Sequence, residues 1–429
     1  MEINDMDLTV PRLGECRIPS PMSGVQFIRD ERGVLYHSDC AAIRPYLDQD
    51  KKLPCFEMAG PREKIYFDPS KLKCGIVTCG GICPGLNDVI RAIVLSLFYH
   101  YGVRTVFGFR YGFEGITYKY GHVPLDLTPE VVEDIHQQGG TILGSSRGPQ
   151  DISEMVDTLE RMNVGLLFAI GGDGTLRGAQ AITEEIRQRT LKIGVIAIPK
   201  TIDNDISFVQ RSFGFVTAVS EATTAIYAAH AEAEGARNGI GLVKLMGRQA
   251  GFIAAHATLA NSDVNFCLVP EVPFTLEGFL AALKVRLEAR QHAVVVAAEG
   301  AGQDLMETSG ERDASGNIRL GDIGLFLKDQ ITGYFKKSGT DISLKYIDPS
   351  YIIRSMPATP PDSAFCLMLG HNAVHAGMAG RTNMVVGYWK DELTHVPISV
   401  AVSKRKQIDP KDKLWTGVLS STGQPREMI

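Results

Sequence analysis

Three short stretches of this chain carry the residue types that phosphoryl chemistry needs. The first is Gly80-Gly81-Ile82-Cys83-Pro84-Gly85-Leu86-Asn87. Glycines without a Cβ let backbone N–H groups approach an oxyanion, and a helix start behind them adds favourable partial charge. A tight strand-to-helix turn needs glycine anyway, so this stretch alone reads equally as a phosphate cradle or as plain turn geometry. The second, Gly171-Gly172-Asp173-Gly174-Thr175 followed by Gly178, is sharper. One carboxylate among four glycines is suited to hold Mg²⁺, directly or through water, while the bare backbone admits a nucleotide's phosphates. The plainer alternative is that Asp173 caps the helix that follows. The third is Pro199-Lys200-Thr201-Ile202-Asp203-Asn204-Asp205. Two carboxylates two residues apart, beside a lysine and a hydroxyl, suit transfer of a γ-phosphoryl group to an alcohol. One can accept the alcohol proton, one can help hold metal, and the cation can steady the transferring oxygens. A solvated Asp-Asn-Asp loop is the bland alternative, and it loses once the three stretches are taken together.

Each stretch directly follows an apolar run, which is where an α/β sheet gathers ligands. Runs at 74–79, 103–109, 165–170, 193–198, 240–246, 264–269, 293–298 and 384–387 read as strands. Segments 86–99, 129–138, 152–162, 176–189, 216–234, 276–290 and 362–379 between them read as amphipathic helices. Continuous apolar strands alternating with helices predict doubly wound α/β layers with mainly parallel sheets. Residues 71–215 and 216–357 are expected to form two such units, the first completed by about 358–395. An extension over 1–70 and a tail over 396–429 remain outside this pattern, and Lys404-Arg405-Lys406 in the tail reads as a solvated charge cluster.

Composition narrows the function classes. The chain has 429 residues, 44% hydrophobic and 22% charged, with a net charge of −5. A near-neutral balance argues against nucleic acid or an anionic membrane as partner, and leaves small polyanionic ligands open. Glycine stands out at 44 residues, well above its usual share of about 7%. The first thirty residues carry Glu2, Asp5 and Asp7 and no apolar run of signal-peptide length, and no stretch reaches membrane-span length. Eight cysteines without a C-x-x-C pair argue for reduced thiols in a cytoplasmic protein rather than for zinc.

Taken in order, the three stretches and Met246-Gly247-Arg248 resemble the 6-phosphofructokinase family, from Cys74 to near Tyr388. The likeness is to the branch with plant, protist and some bacterial ATP-dependent members, which shares pyrophosphate-type features. This resemblance implies a nucleotide-binding first unit, a sugar-phosphate-binding second unit, Mg²⁺ as cofactor, and ATP and fructose 6-phosphate as substrates. It also implies a homo-oligomer, a tetramer or dimer. By the same resemblance Asp203 would be the general base toward the sugar's 1-hydroxyl, with Thr201 and Ile202 lining the sugar site. Asp173 would hold the metal and Asp205 would assist there. Gly81, Arg147 and Gly148 in Gly144-Ser145-Ser146-Arg147-Gly148, together with Gly172, Gly174, Thr175 and Gly178, would contact ATP. Met246, Gly247, Arg248, Glu299, Lys345, Tyr351 and Arg354 would hold fructose 6-phosphate.

The departures bear on regulation and donor. Asn238-Gly239, Lys345 and Tyr351 stand where well-known bacterial members have two arginines and a histidine, and Leu95 stands where their effector site has an arginine. Bacterial effector regulation is therefore not carried over. For the donor, the resemblance gives two opposed signals. Pyrophosphate users place an aspartate at the position of Gly174, where its carboxylate would meet the α-phosphate of ATP, so Gly174 points to ATP. Lys200 stands where pyrophosphate users have lysine. Gly174 decides, because a lysine near phosphates serves either donor whereas an added side chain excludes the nucleotide. A pyrophosphate-dependent enzyme, a kinase for NAD or a lipid, and a non-catalytic regulatory homologue are the alternatives.

Overall fold

Continuous apolar runs are stable as strands where both faces of the sheet are covered. Every residue of Leu166–Gly171 and of Gly194–Pro199 is buried. The computed structural model describes residues 6–307, 310–312 and 318–429. The chain divides into two units, Met1–Thr201 with Ile206–Gly214 and Met356–Arg405, and Ile202–Asp205 with Phe215–Ser355 and Lys406–Ile429. Each has its own sheet and apolar core.

The first unit holds a nine-stranded sheet. Its centre is parallel, in the order Met384–Trp389, Gly194–Pro199, Leu166–Gly171, Lys73–Thr78, Thr105–Phe109. From Lys73–Thr78 the chain moves to Thr105–Phe109 on one side, then returns to Leu166–Gly171 on the other. Such a reversal opens a crevice at the carboxyl ends of the strands. Gly80-Gly81 and the Gly171-to-Thr175 turn follow the two strands that flank it.

The segment expected as an N-terminal extension contributes to this sheet. Gly33–Leu35 and Cys55–Met58 add antiparallel strands beyond Glu392–Pro397, and Leu125–Asp126 closes the opposite edge. Strands of three and four residues are too short to show periodicity. What fixes this segment is a buried ion network. Arg381, almost wholly buried, donates from Nη2 to Asp30 (2.6 Å) and from Nε to Glu57 (2.9 Å), while Arg62 reaches the same two carboxylates at 2.9 and 3.0 Å. Burial opposes ionisation of Glu57, but the His395 hydrogen bond and the charges of His395, Arg381 and Arg62 outweigh it and bring its pKa to about 2. A depressed carboxylate stabilises the fold above its ordinary pKa, and that contribution disappears as the pH falls toward 2. Arg381→Met is expected to cost roughly 3–5 kcal/mol, because it leaves two carboxylates under-compensated; equilibrium denaturation at pH 7 measures it, and a loss under 1 kcal/mol would contradict the network's role.

Two helix expectations changed. Segment 129–138 forms only a single turn, Ile135–Gln137. Its carbonyls are taken by side chains of the neighbouring helix Leu86–Leu95: Asn87 donates to Gln138 and Arg91 to Glu133. The helix expected over 86–99 stops being α-helical at Leu95 and continues as a wider π-turn, Ser96–Tyr101, ended by Gly102 at φ 78°.

The second unit holds four parallel strands in the order Phe266–Leu268, His292–Ala298, Gly239–Leu245, Ser343–Ile347. Building starts at Gly239–Leu245, goes out through the first two, and returns to the far side with Ser343–Ile347. This unit thus has a strand-order reversal of its own, between Gly239–Leu245 and Ser343–Ile347.

Candidate active site

In the first unit, two cations converge on the Gly80-Gly81 turn. The Lys200 ammonium lies 3.4 Å from where a Cβ on Gly80 would stand, and Arg147 Nη2 lies 3.5 Å from the equivalent point at Gly81. Neighbouring backbone explains both placements. Lys200 N–H donates to Gly171 O (2.9 Å) at the end of the adjacent strand. The loop bearing Arg147 is tied to the strand Lys73–Thr78 by Thr78 Oγ1 donating to Gly144 O (2.8 Å), and to the turn by Gly80 N–H donating to Ser146 O (3.1 Å). Two positive groups facing open glycine backbone suit an anion.

The glycines of the second turn separate by cause. A Cβ on Gly171 would stand 2.1 Å from Thr175 Oγ1, and one on Gly178 would stand 2.6 Å from Phe113. Packing alone requires those two. Thr175 is buried, so its side chain serves the core. Gly174 is different: a Cβ there would meet nothing within 4 Å, and its φ is not in the left-handed region. The fold does not require glycine at 174.

Asp173 does not cap the helix Asp173–Gln188; Gly172 occupies the cap, and Asp173 opens the first turn. Its carboxylate accepts from Arg177 Nε at 3.0 Å, with Arg405 at 3.8 Å. Among the described residues no three His, Cys, Asp or Glu side chains are grouped to hold a metal ion. Mg²⁺ needs no such cage, since it takes one or two carboxylates and completes its shell with water and phosphate oxygens; a partly exposed Asp173 fits that pattern.

The loop bearing Asp203 and Asp205 passes from the first unit to the second between Thr201 and Ile202. Asn204 adopts φ 55°, a conformation asparagine tolerates better than most residues, and this bends the chain between the two aspartates. Asp203 Oδ1 is shielded from solvent and Asp205 is buried. Of the tail cluster expected to be solvated, Lys404 and Arg405 are exposed, whereas Lys406 lies here. Lys406 N–H donates to Asp205 O (2.9 Å), and its ammonium lies 5.1 Å from the Phe252 ring centre. Burial lowers its pKa to about 7 despite the Asp205 charge. Nothing in a short basic run distinguishes a lysine folded against an aspartate loop from one in water, so Arg405 and Lys406 could not be singled out beforehand.

In the second unit, Met246, Gly247 and Arg248 follow Gly239–Leu245, and Glu299 follows His292–Ala298. The two loops are locked together: Glu299 N–H donates to Leu245 O (2.9 Å) and Gly300 N–H to Gly247 O (3.0 Å). Gly247 sits at φ 131°, open to glycine alone. Burial raises the pKa of Glu299, against the opposing charges of Arg248, Lys244 and Arg354. Arg248 donates to Ile318 O. Arg354 stacks over Tyr351 at 4.5 Å and has a shielded Nε with no acceptor among the described residues, a donor ready for an anion. Tyr351 is 74% exposed and therefore not a core aromatic. Lys345 is not among the charged groups acting on Glu299; it lies mid-strand, 4.0 Å from Glu232.

Comparisons with known proteins give the family. The phosphofructokinase family model matches residues 73–377. A Borreliella burgdorferi protein named ATP-dependent 6-phosphofructokinase is 49% identical, covering 99% of this chain and 98% of its own. Relatives of the same name from Amycolatopsis methanolica (48%, 98% of this chain and 95% of its own) and Trypanosoma cruzi (45%, 98% and 88%) also match over most of their length. Among solved structures, a pyrophosphate-dependent phosphofructokinase from Marinobacter aquaeolei aligns with TM-score 0.68 at 19% identity, covering 83% of this chain and 96% of its own, a likeness of fold. Family model, full-length relatives and fold lead to one conclusion: the chain belongs to the phosphofructokinase family.

Proposed function

We propose that the protein transfers the γ-phosphoryl group of ATP to the 1-hydroxyl of fructose 6-phosphate, giving fructose 1,6-bisphosphate and ADP. The observation that carries this reading is the convergence of Lys200 and Arg147 on the Gly80-Gly81 turn, beside a Gly174 that the fold itself does not require. Gly81, Arg147, Gly148 and the Gly172-to-Thr175 turn hold the nucleotide, with Arg147 presenting a fixed fork of donors to phosphate oxygens. Asp173 would hold Mg²⁺, with Asp205 assisting; when bound, the ion neutralises charge on the donor's phosphates. Met246, Gly247, Arg248, Glu299, Tyr351 and Arg354 hold the sugar phosphate, with arginines toward the phosphate and Glu299 accepting from hydroxyls. Asp203 accepts the proton of the 1-hydroxyl as its oxygen attacks phosphorus, and Thr201 and Ile202 position that hydroxyl.

Lys345, exposed on its strand, would serve a neighbouring copy in a homo-oligomer, a tetramer or dimer. Among the described residues no helix is long and apolar enough to cross a membrane, and a cytoplasmic enzyme is the reading we adopt. Lys200 supports pyrophosphate as a second donor, whereas the full-length relatives are named for ATP. Turnover of fructose 6-phosphate with ATP and with pyrophosphate, measured side by side, tests the proposal. Turnover with ATP at least tenfold faster is expected; faster turnover with pyrophosphate would overturn the donor, and no product with either would leave a non-catalytic homologue.

A further inference from the structure

One lysine in the second unit is tied to the helices on either side of the strand Ser343–Ile347. The register pairs Val243 with Ile347, so Lys244 and Asp348 leave neighbouring parallel strands side by side. The Lys244 side chain is only 13% exposed, and its ammonium lies 2.7 Å from Asp348 Oδ2 and 3.1 Å from Asp322 Oδ2. Each carboxylate is also a helix anchor. Asp322 accepts from Leu325 N–H at 3.1 Å and so caps Ile323–Lys337. Asp348 accepts from both the N–H (3.1 Å) and the hydroxyl (2.6 Å) of Ser350, at the start of Ser350–Ser355. That short helix carries Tyr351 and Arg354, while Lys244 itself stands two residues before Met246.

We propose that Lys244 is a positioning residue for fructose 6-phosphate: through Asp348 it fixes the helix bearing Tyr351 and Arg354 against the loop bearing Met246 and Arg248, and its charge keeps the cluster receptive to a phosphate dianion. The proposal rests on the reading of this cluster as the sugar-phosphate site. The charges explain why the lysine must be cationic. Lys244, Arg248 and Arg354 balance Asp322, Asp348 and Glu299. Without Lys244 the cluster carries excess negative charge where a dianion must enter, and like charges in a partly buried site repel strongly. The groups acting on Glu299 are Arg248 and Lys244 from one strand and its loop, Asp348 from the next, and Arg354 from the short helix. Removing the Lys244 charge leaves Asp348 uncompensated beside Glu299, so Glu299 becomes harder to ionise.

Steady-state kinetics of full-length Lys244→Met with fructose 6-phosphate and ATP test this. A rise of tenfold or more in KM for fructose 6-phosphate is expected, with KM for ATP within about twofold. The acid limb of kcat/KM for fructose 6-phosphate should move to higher pH. Lys244→Arg, which keeps the charge, should recover most of the loss. Should the methionine variant fail to fold, Lys244→Gln, still able to donate to both carboxylates but uncharged, makes the same comparison. An unshifted KM for fructose 6-phosphate, an unmoved acid limb, or Lys244→Arg as impaired as Lys244→Met would overturn the proposal. These outcomes all presuppose wild-type turnover; wild-type protein inactive toward fructose 6-phosphate would instead overturn the function reading, and the proposal with it.

Discussion

Asp203→Asn should lower kcat by about 10²–10⁴, the usual worth of a positioned general base. The substitution is nearly isosteric, and Asn204 at φ 55° and the buried Asp205 help to shape the loop. Folding should therefore be little changed, and the amide can still hydrogen-bond the sugar hydroxyl, so KM for fructose 6-phosphate should stay within a few-fold. What the amide cannot do is accept the hydroxyl proton as the oxygen attacks phosphorus. A fall in kcat at near-constant KM marks an interaction made in the transition state. Coupled product detection over a range of fructose 6-phosphate concentrations reads both constants, and retention of more than roughly a tenth of kcat would remove Asp203 from the base role.

Gly174→Asp is expected to separate the donors. An added Cβ there meets nothing within 4 Å, so the variant should fold and its thermal midpoint should hardly move. The new carboxylate would lie where the α-phosphate of ATP must pass. Like charges about 4 Å apart repel by about 2–4 kcal/mol at an effective dielectric constant near 20 to 40, which is roughly a 30- to 1,000-fold fall in kcat/KM for ATP. Any activity with pyrophosphate, which has no α-phosphate in that position, should change by less than about threefold. Kinetics with each donor at saturating fructose 6-phosphate make the comparison. An unchanged KM for ATP would refute the argument that the missing side chain admits the nucleotide.

How much of this was legible beforehand depends on the range over which each feature is encoded. The three motif turns were readable because each follows an apolar strand directly and glycine marks where backbone must be approached. Cation placement was not. That Lys200 and Arg147 meet over one turn depends on pairing between strands far apart in sequence. The turn over 129–138 was misjudged because helical periodicity says nothing of Asn87 and Arg91 capturing its carbonyls. Lys244 was missed for a related reason: inside the strand it looked like an ordinary polar interruption, and its two carboxylates come from segments 78 and 104 residues away. The glycines divide in the same way. Their positions were visible, but only the space around each one shows that Gly171 and Gly178 serve packing and Gly174 does not.

The strand order of the first unit also governs how the protein can be made. Gly194–Pro199 is paired on one side by Leu166–Gly171 early in synthesis, yet its other neighbour, Met384–Trp389, emerges from the ribosome nearly two hundred residues later. Until then a wholly apolar strand has an open edge, the kind of surface that recruits other chains. The intervening segment Phe215–Ser355 belongs to the second unit and can acquire its parallel sheet in the meantime. Maturation of the first unit therefore waits on nearly the whole message, which makes the nascent chain, more than the finished enzyme, the state most in need of chaperone cover.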